Sequence, residues 1–227
     1  MSQQFLKYIQ RGATVEIADA VAADPSLLAW KDVQGVSALM WAIYCGQVLV
    51  RDFLLIERTQ AGMALDAFEA AAVGDAESLA SAVDTAPGIV HEQSGDGWTV
   101  LHLAAAFGTP EAVQLLLDRG APVDAVSANA QKNQPLHAAL ALGRNPEAIR
   151  ILLEAGADPN ARQTGGYTAI FSAAAANRRD LVELLVVHGA DPAILNDFGQ
   201  SAAGFARERS HTELADWLDS QPARKSS

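Results

Sequence analysis

Matching text returns along this chain every 33–35 residues, and no other feature constrains its fold as tightly. Gly108, Gly143, Asn177 and Ser210 hold the same place in successive copies, 35, 34 and 33 residues apart. The fullest copy opens Asp96-Gly97-Trp98-Thr99-Val100-Leu101-His102 and closes Leu115-Leu116-Leu117-Asp118-Arg119-Gly120-Ala121. A unit this short cannot bury its own apolar face, so the copies must stack on one another. Composition agrees: half of the 227 residues are hydrophobic, alanine takes about a fifth of the chain, and aromatic residues only 6%. That apolar share is ample for a folded core. A core rich in alanine needs backbones that approach closely, which many helices packed side by side provide.

Each copy reads as two short helices with their own stop and start signals. Ser37, Thr99, Thr168 and Ser201 stand before the first helices as N-caps. Pro135 suits a first helical turn, where its missing N–H costs nothing. Second helices start at Thr109-Pro110, Asn145-Pro146, Asp75 and Thr212, and Gly120, Gly156 and Gly189 stand just past helix ends. First helices carry Ala104-Ala105, Ala138-Ala139 and Ala173-Ala174 for close contact, and second helices carry Leu115-Leu116, Ile151-Leu152 and Leu184-Leu185 for the core between units. Before residue 95 the copies degenerate, with Gly12, Gly46 and Gly74 at steps of 34 and 28 residues. Asp24-Pro25-Ser26-Leu27-Leu28 and Ala86-Pro87-Gly88-Ile89-Val90 echo each other. The short step has no room for a full hairpin around residues 57–63, which predicts a bend or break there.

Gln134-Pro135-Leu136-His137 and Thr99-Val100-Leu101-His102, recurring at a period near 33, resemble the Thr-Pro-Leu-His box of the ankyrin-repeat family. The resemblance is strong over residues 95–193 and weaker on either side. It implies one all-α solenoid over residues 1–227, with about seven helix-turn-helix units and β-hairpin-like connecting loops. Degenerate repeats would fill 1–94, well-formed repeats 95–193, a C-terminal capping repeat 196–220 and a polar tail 221–227 carrying Arg224 and Lys225. The resemblance also gives His102, His137 and His211 structural roles, the first two as hydrogen-bond partners of neighbouring loops.

The formal charge of −11, with a pI near 4.8, argues against nucleic acid and against an anionic membrane surface as partners. Cys45 is the sole cysteine, so no intrachain disulfide forms and a reducing, cytoplasmic setting is expected. The polar start Met1-Ser2-Gln3-Gln4 does not read as a secretory signal, and Gln47, Arg51 and Asp52 interrupt the most apolar stretch. No two histidines have metal-ligand spacing, and there is no Gly-x-Ser-x-Gly elbow or phosphate-binding loop. Glu57 and Asp66 are carboxylates with no partner placed by the sequence, and Cys45 reads as a structural or merely accessible thiol. No catalysis, metal or cofactor is expected.

In the ankyrin architecture the hairpin tips and inner first-helix faces form a concave surface on which ligands dock. Carried over residue by residue, the hairpin positions include Val36, Trp98, Tyr167 and Phe198, and the late first-helix positions include Tyr44 and Phe107. These six are the candidate partner-binding residues. Aromatic anchors favour protein interfaces; the competing reading is that the rings shield hairpin backbone or pack on the next loop. Trp41 and Trp217 read as core. The function expected is a non-catalytic scaffold for an unidentified protein partner. The alternatives are self-association through a solenoid end or service as the regulatory subunit of an enzyme. Phe5, Leu6, Tyr8 and Ile9 suggest an apolar outer face at the N-terminal end, so a dimer competes with the monomer expected by default. If the alanines are contact residues, Ala105→Leu or Ala139→Leu should destabilise by ~1–3 kcal/mol through overpacking. An unchanged melting temperature would remove both from the inter-repeat contacts.

Overall fold

The computed structural model describes residues 2–143 and 145–221, so Arg224 and Lys225 of the expected tail lie outside the described residues. Within them the chain is all-α and forms seven consecutive helix pairs. They are α1 (Ser2–Arg11) with α2 (Thr14–Ala23), α3 (Ala38–Tyr44) with α4 (Val48–Gln60), and α5 (Ala67–Val73) with α6 (Ala76–Thr85). Next come α7 (Val100–Phe107) with α8 (Pro110–Asp118), and α9 (Pro135–Ala138) with α10 (Pro146–Glu154), α9 running on into a π-turn over Ala139–Gly143. The last pairs are α11 (Ala169–Ala175) with α12 (Arg179–Val187), and α13 (Ala202–Glu208) with α14 (Thr212–Asp219).

First helices pack in one continuous row, α1–α3–α5–α7–α9–α11–α13. Second helices pack as α2–α4 and as α6–α8–α10–α12, and neither α4 with α6 nor α12 with α14 packs as closely. The alanines expected at contacts are buried: Ala105 is 3% exposed and Ala139, Ala173 and Ala174 are fully covered. Ser37, Thr99, Ser201, Asp75, Thr109 and Asn145 each accept a hydrogen bond from a backbone N–H of the first helical turn. Two expected caps differ. Thr168 precedes α11, but its buried hydroxyl has no partner. The Phe171 N–H that it would receive goes instead to the Thr168 carbonyl at 3.1 Å. Thr212 is the first residue of α14, and His211 occupies the cap position without a side-chain bond.

Fourteen to sixteen residues join each second helix to the next first helix and fold as a finger, except between α4 and α5, where residues 61–66 suffice. The echoing N-terminal segments both become 3-10 turns, Pro25–Ala29 and Pro87–His91, and lead into short antiparallel bridges, Lys31 with Ser37 and Gln93 with Thr99. At the fingerless junction the apolar interior divides into two clusters that meet at α3: Ala38, Leu39 and Ala42 face the N-terminal cluster, and Met40, with Val36 just before the helix, the larger one. The apolar outer face expected at the N-terminus is not formed by Phe5 and Ile9. Both point into the N-terminal cluster, 2% and 0% exposed, because α1 packs against α2 and α3.

A buried ion pair ties the junction. Arg58, in the last turn of α4, donates from Nη1 and Nη2 to Glu69 of α5 at 2.6 and 2.9 Å, and from Nη2 to the Ala64 carbonyl at 3.1 Å. Burial raises the Glu69 carboxyl, but the Arg58 guanidinium, the Ser37 hydroxyl and the Asp66 N–H together bring it below the ordinary carboxylate range. Removing one partner strands a buried charge, so Arg58→Met should cost about 3–5 kcal/mol. Arg58→Met with Glu69→Leu should cost less than Arg58→Met alone in urea unfolding; a double variant at least as damaged would show that the pair does not act as a unit.

Candidate partner-binding surface

The fingers rest on one another through backbone hydrogen bonds that repeat from unit to unit. Ala128 N–H donates to the Gly97 carbonyl, Thr164 N–H to Gln131 and Asp197 N–H to Gly165, each at 2.9 Å. Inside every finger but the one before α11, a short polar side chain holds the tip turn. Asp32 Oδ1 accepts the Gln34 and Val36 N–H groups at 2.8 and 2.9 Å, Ser94 Oγ accepts the Trp98 N–H, and Asn196 Oδ1 accepts those of Phe198 and Gln200. Buried histidines bind finger to helix. His102 accepts from Thr99 at Nδ1 and donates from Nε2 to the Asn133 carbonyl at 3.0 Å, which requires the Nε2–H tautomer. His137 likewise donates to the Ala161 carbonyl at 3.0 Å.

The six candidate residues fall into separate groups. Tyr44 lies half-buried with its ring on Phe107 (centroids 5.5 Å apart) and edge-on to Trp41, and its hydroxyl donates to Asp96 Oδ2 at 2.7 Å. Burial, the hydrogen bond to Asp96 and the nearby charges of Asp96 and Asp32 raise the phenol far above its ordinary value, so it stays a donor. Val36 is 6% exposed and forms part of a cleft wall rather than a projecting anchor. Trp98 is half-buried, edge-on to His102 at 5.4 Å. Tyr167 is half-buried in an aromatic cluster with Phe171 and Phe205, and Phe198, 72% exposed, leans on it at 6.3 Å. Trp41 is half-buried and donates from Nε1 to Asp32 at 2.9 Å; Trp217 is half-buried beneath the Arg179 guanidinium.

Residues that the sequence reading left unassigned complete the surface. Asp66 caps α5 in a reciprocal box with Glu69 and pairs with Lys31 at 3.3 Å. The signal was present, since Asp66-x-x-Glu69 is the spacing of a capping box. Among the described residues no group of three or more histidine, cysteine or acidic side chains is placed to hold a metal, and no helix is long and apolar enough to cross a membrane. Cys45 is half-buried at the end of α3, where burial raises its thiol above the ordinary value.

A sequence model described as ankyrin repeats (3 copies) matches residues 67–163, and one described as ankyrin repeats (many copies) matches residues 152–206. The chain belongs to the ankyrin-repeat family. Both matches lie from α5 onward, so the first two ankyrin-like helix pairs stand outside them. An ankyrin repeat-containing protein of Treponema pallidum (strain Nichols) is 40% identical over 111 residues, 49% of this chain and 37% of that protein. The mouse B-cell lymphoma 3 protein homolog is 37% identical over 114 residues, 50% of this chain and 25% of its own. Mouse ankyrin repeat and SOCS box protein 16 is 39% identical over 110 residues, 45% of this chain and 24% of its own. The chain thus spans between about a quarter and somewhat over a third of these relatives.

The structural histidines of the ankyrin boxes make stability depend on pH. Burial lowers His102 to about 4, and lowers His137 in the same direction. The unfolded chain, with histidine near its ordinary value of about 6.5, then binds protons that the folded chain does not. Stability from His102 is full above that value and falls as pH drops toward 4. Urea unfolding should show a loss of about 2–3 kcal/mol between pH 7 and pH 4.5 beyond that of His102→Gln; parallel losses in the two proteins would contradict the assignment.

Proposed function

We propose that this ankyrin-repeat chain is a non-catalytic scaffold that binds a partner protein through its fingers and first-helix row. The observation that carries the reading is the set of aromatic rings left partly open along the finger ladder. Phe198 stands out from its finger while Tyr167 backs it, and Trp98 keeps part of its ring exposed three units earlier. Rings held in place by neighbours lose little conformational freedom on binding and supply large contact area, which suits them as anchors. The backbone bonds between fingers and the histidine bonds to the helices pre-organise that surface, lowering the ordering cost of association. The partner is a protein without strong negative charge, given a chain at −11.

The test is capture of partners on the immobilised chain, followed by titration calorimetry of the recovered protein with Trp98→Ala and Tyr167→Ala. Each substitution should weaken binding by ~2 kcal/mol or more. If both variants keep their helical circular dichroism and bind like the unaltered chain, the aromatic surface is not the interface.

A further inference from the structure

Because the third unit has no finger, the fingers of the second and fourth units come together over the space it would fill. Their approach is close enough that a Cβ on Gly95 would lie 1.6 Å from the Gln34 carbonyl oxygen. Beneath them a cleft of about 280 Å³ remains. It falls just below the ~300–1,000 Å³ of small-molecule pockets and suits a single side chain. Met40, Phe68 and Ile89 give it apolar walls, and Lys31, Asp66 and Asp96 bring charge to it.

The charges do not balance. Lys31 pairs with Asp66 at 3.3 Å. Asp96 receives only neutral donors, the Tyr44 hydroxyl on Oδ2 and the Ser94 hydroxyl on Oδ1, and takes part in no ion pair among the described residues. An ionised carboxylate has about four lone-pair sites, so two such donors leave room for a cationic one. We propose that this cleft receives one arginine or lysine side chain from an extended segment of the partner protein. Its methylene stem lies along Met40, Phe68 and Ile89, and its cationic head reaches Asp96, the arrangement long basic side chains adopt wherever apolar walls lead to charge. The overall charge of −11 favours the approach of a basic segment. The inference rests on the protein-binding reading above and adds the residue type read at one place on that surface.

The test is an amide-resolved NMR titration of the full chain with N-acetyl-arginine methylamide, against its uncharged isostere N-acetyl-citrulline methylamide. The arginine probe should give saturable shifts at the amides of Tyr44, Phe68 and Asp96, and the citrulline probe none. Asp96→Asn should weaken the arginine probe at least fivefold. Lys31→Gln, which removes the competing cation, should strengthen it about twofold or more. Opposite directions in two folded variants separate recognition of charge from a general loss of structure. Absence of saturation, equal response to citrulline, or variants moving together would overturn the proposal. Panning a random dodecapeptide library on the same chain tests the broader reading separately. Peptides sensitive to Trp98→Ala but indifferent to Asp96→Asn would keep the interaction surface and remove the cleft. Arginine shifts without any recovered peptide would keep the cleft and remove the surface.

Discussion

Alanine where first helices touch sets the distance between units, and that distance decides how every other part meets. Ala105 and Ala139 are almost wholly covered, and α7 comes so near α5 that a Cβ on Gly108 would stand 2.3 Å from the Ala71 carbonyl oxygen. Interiors are packed as densely as organic crystals, so one extra side chain at such a contact would push whole helices apart. Helices held at this separation carry their fingers at a matching separation. That is why the hydrogen bonds from Ala128, Thr164 and Asp197 to the preceding finger share one length of 2.9 Å. The binding surface is thus a consequence of core packing.

The finger-free third unit breaks this regularity and shows what a finger ordinarily contributes. From the fourth unit to the seventh, neighbouring fingers are joined by backbone bonds, which carry no charge. At the α4–α5 junction, the buried Arg58–Glu69 pair closes it, extended to Ser37, Asp66 and Ala64. Such a pair gives less net stability than apolar packing of equal volume, because both ions give up their water. It is directional, however, and fixes the end of α4 against the start of α5 where only six residues of backbone connect them. The division of the apolar interior into two clusters falls at the same place.

What the sequence reveals follows from how local each rule is. Helix pairs, caps and the histidine positions obey rules spanning four residues or one repeat period, and they can be read directly. Asn177 and Ser210 take positive φ of 53° and 64°, as the aligned Gly12, Gly46 and Gly74 do, although Gly108 in the same alignment does not. Thr168 escapes because the Phe171 N–H that its hydroxyl would receive goes instead to the Thr168 carbonyl, a backbone detail that residue types do not reveal. Phe5 and Ile9 escape because Phe5, Leu6, Tyr8 and Ile9, four hydrophobic residues within five positions, do not say which face meets α3. Tyr44 could be placed on the surface by alignment, but its bond to Asp96, 52 residues along, exists only because an intervening finger is missing.

The short step therefore should not be read as simple decay of a repeat. A finger of ordinary length in the third unit would come between Gln34 and Gly95 and fill the space bounded by Met40, Phe68 and Ile89. It would also part the Tyr44 hydroxyl from Asp96. Gly95 fits the shortened arrangement in a way that turn geometry alone does not explain, since its backbone has no positive φ and the need for glycine there comes from the Gln34 carbonyl. A shortened link, a glycine that permits contact, a buried pair that replaces backbone bonds and a charged cleft are one structural solution. Removing any of the first three alters the shape of the fourth.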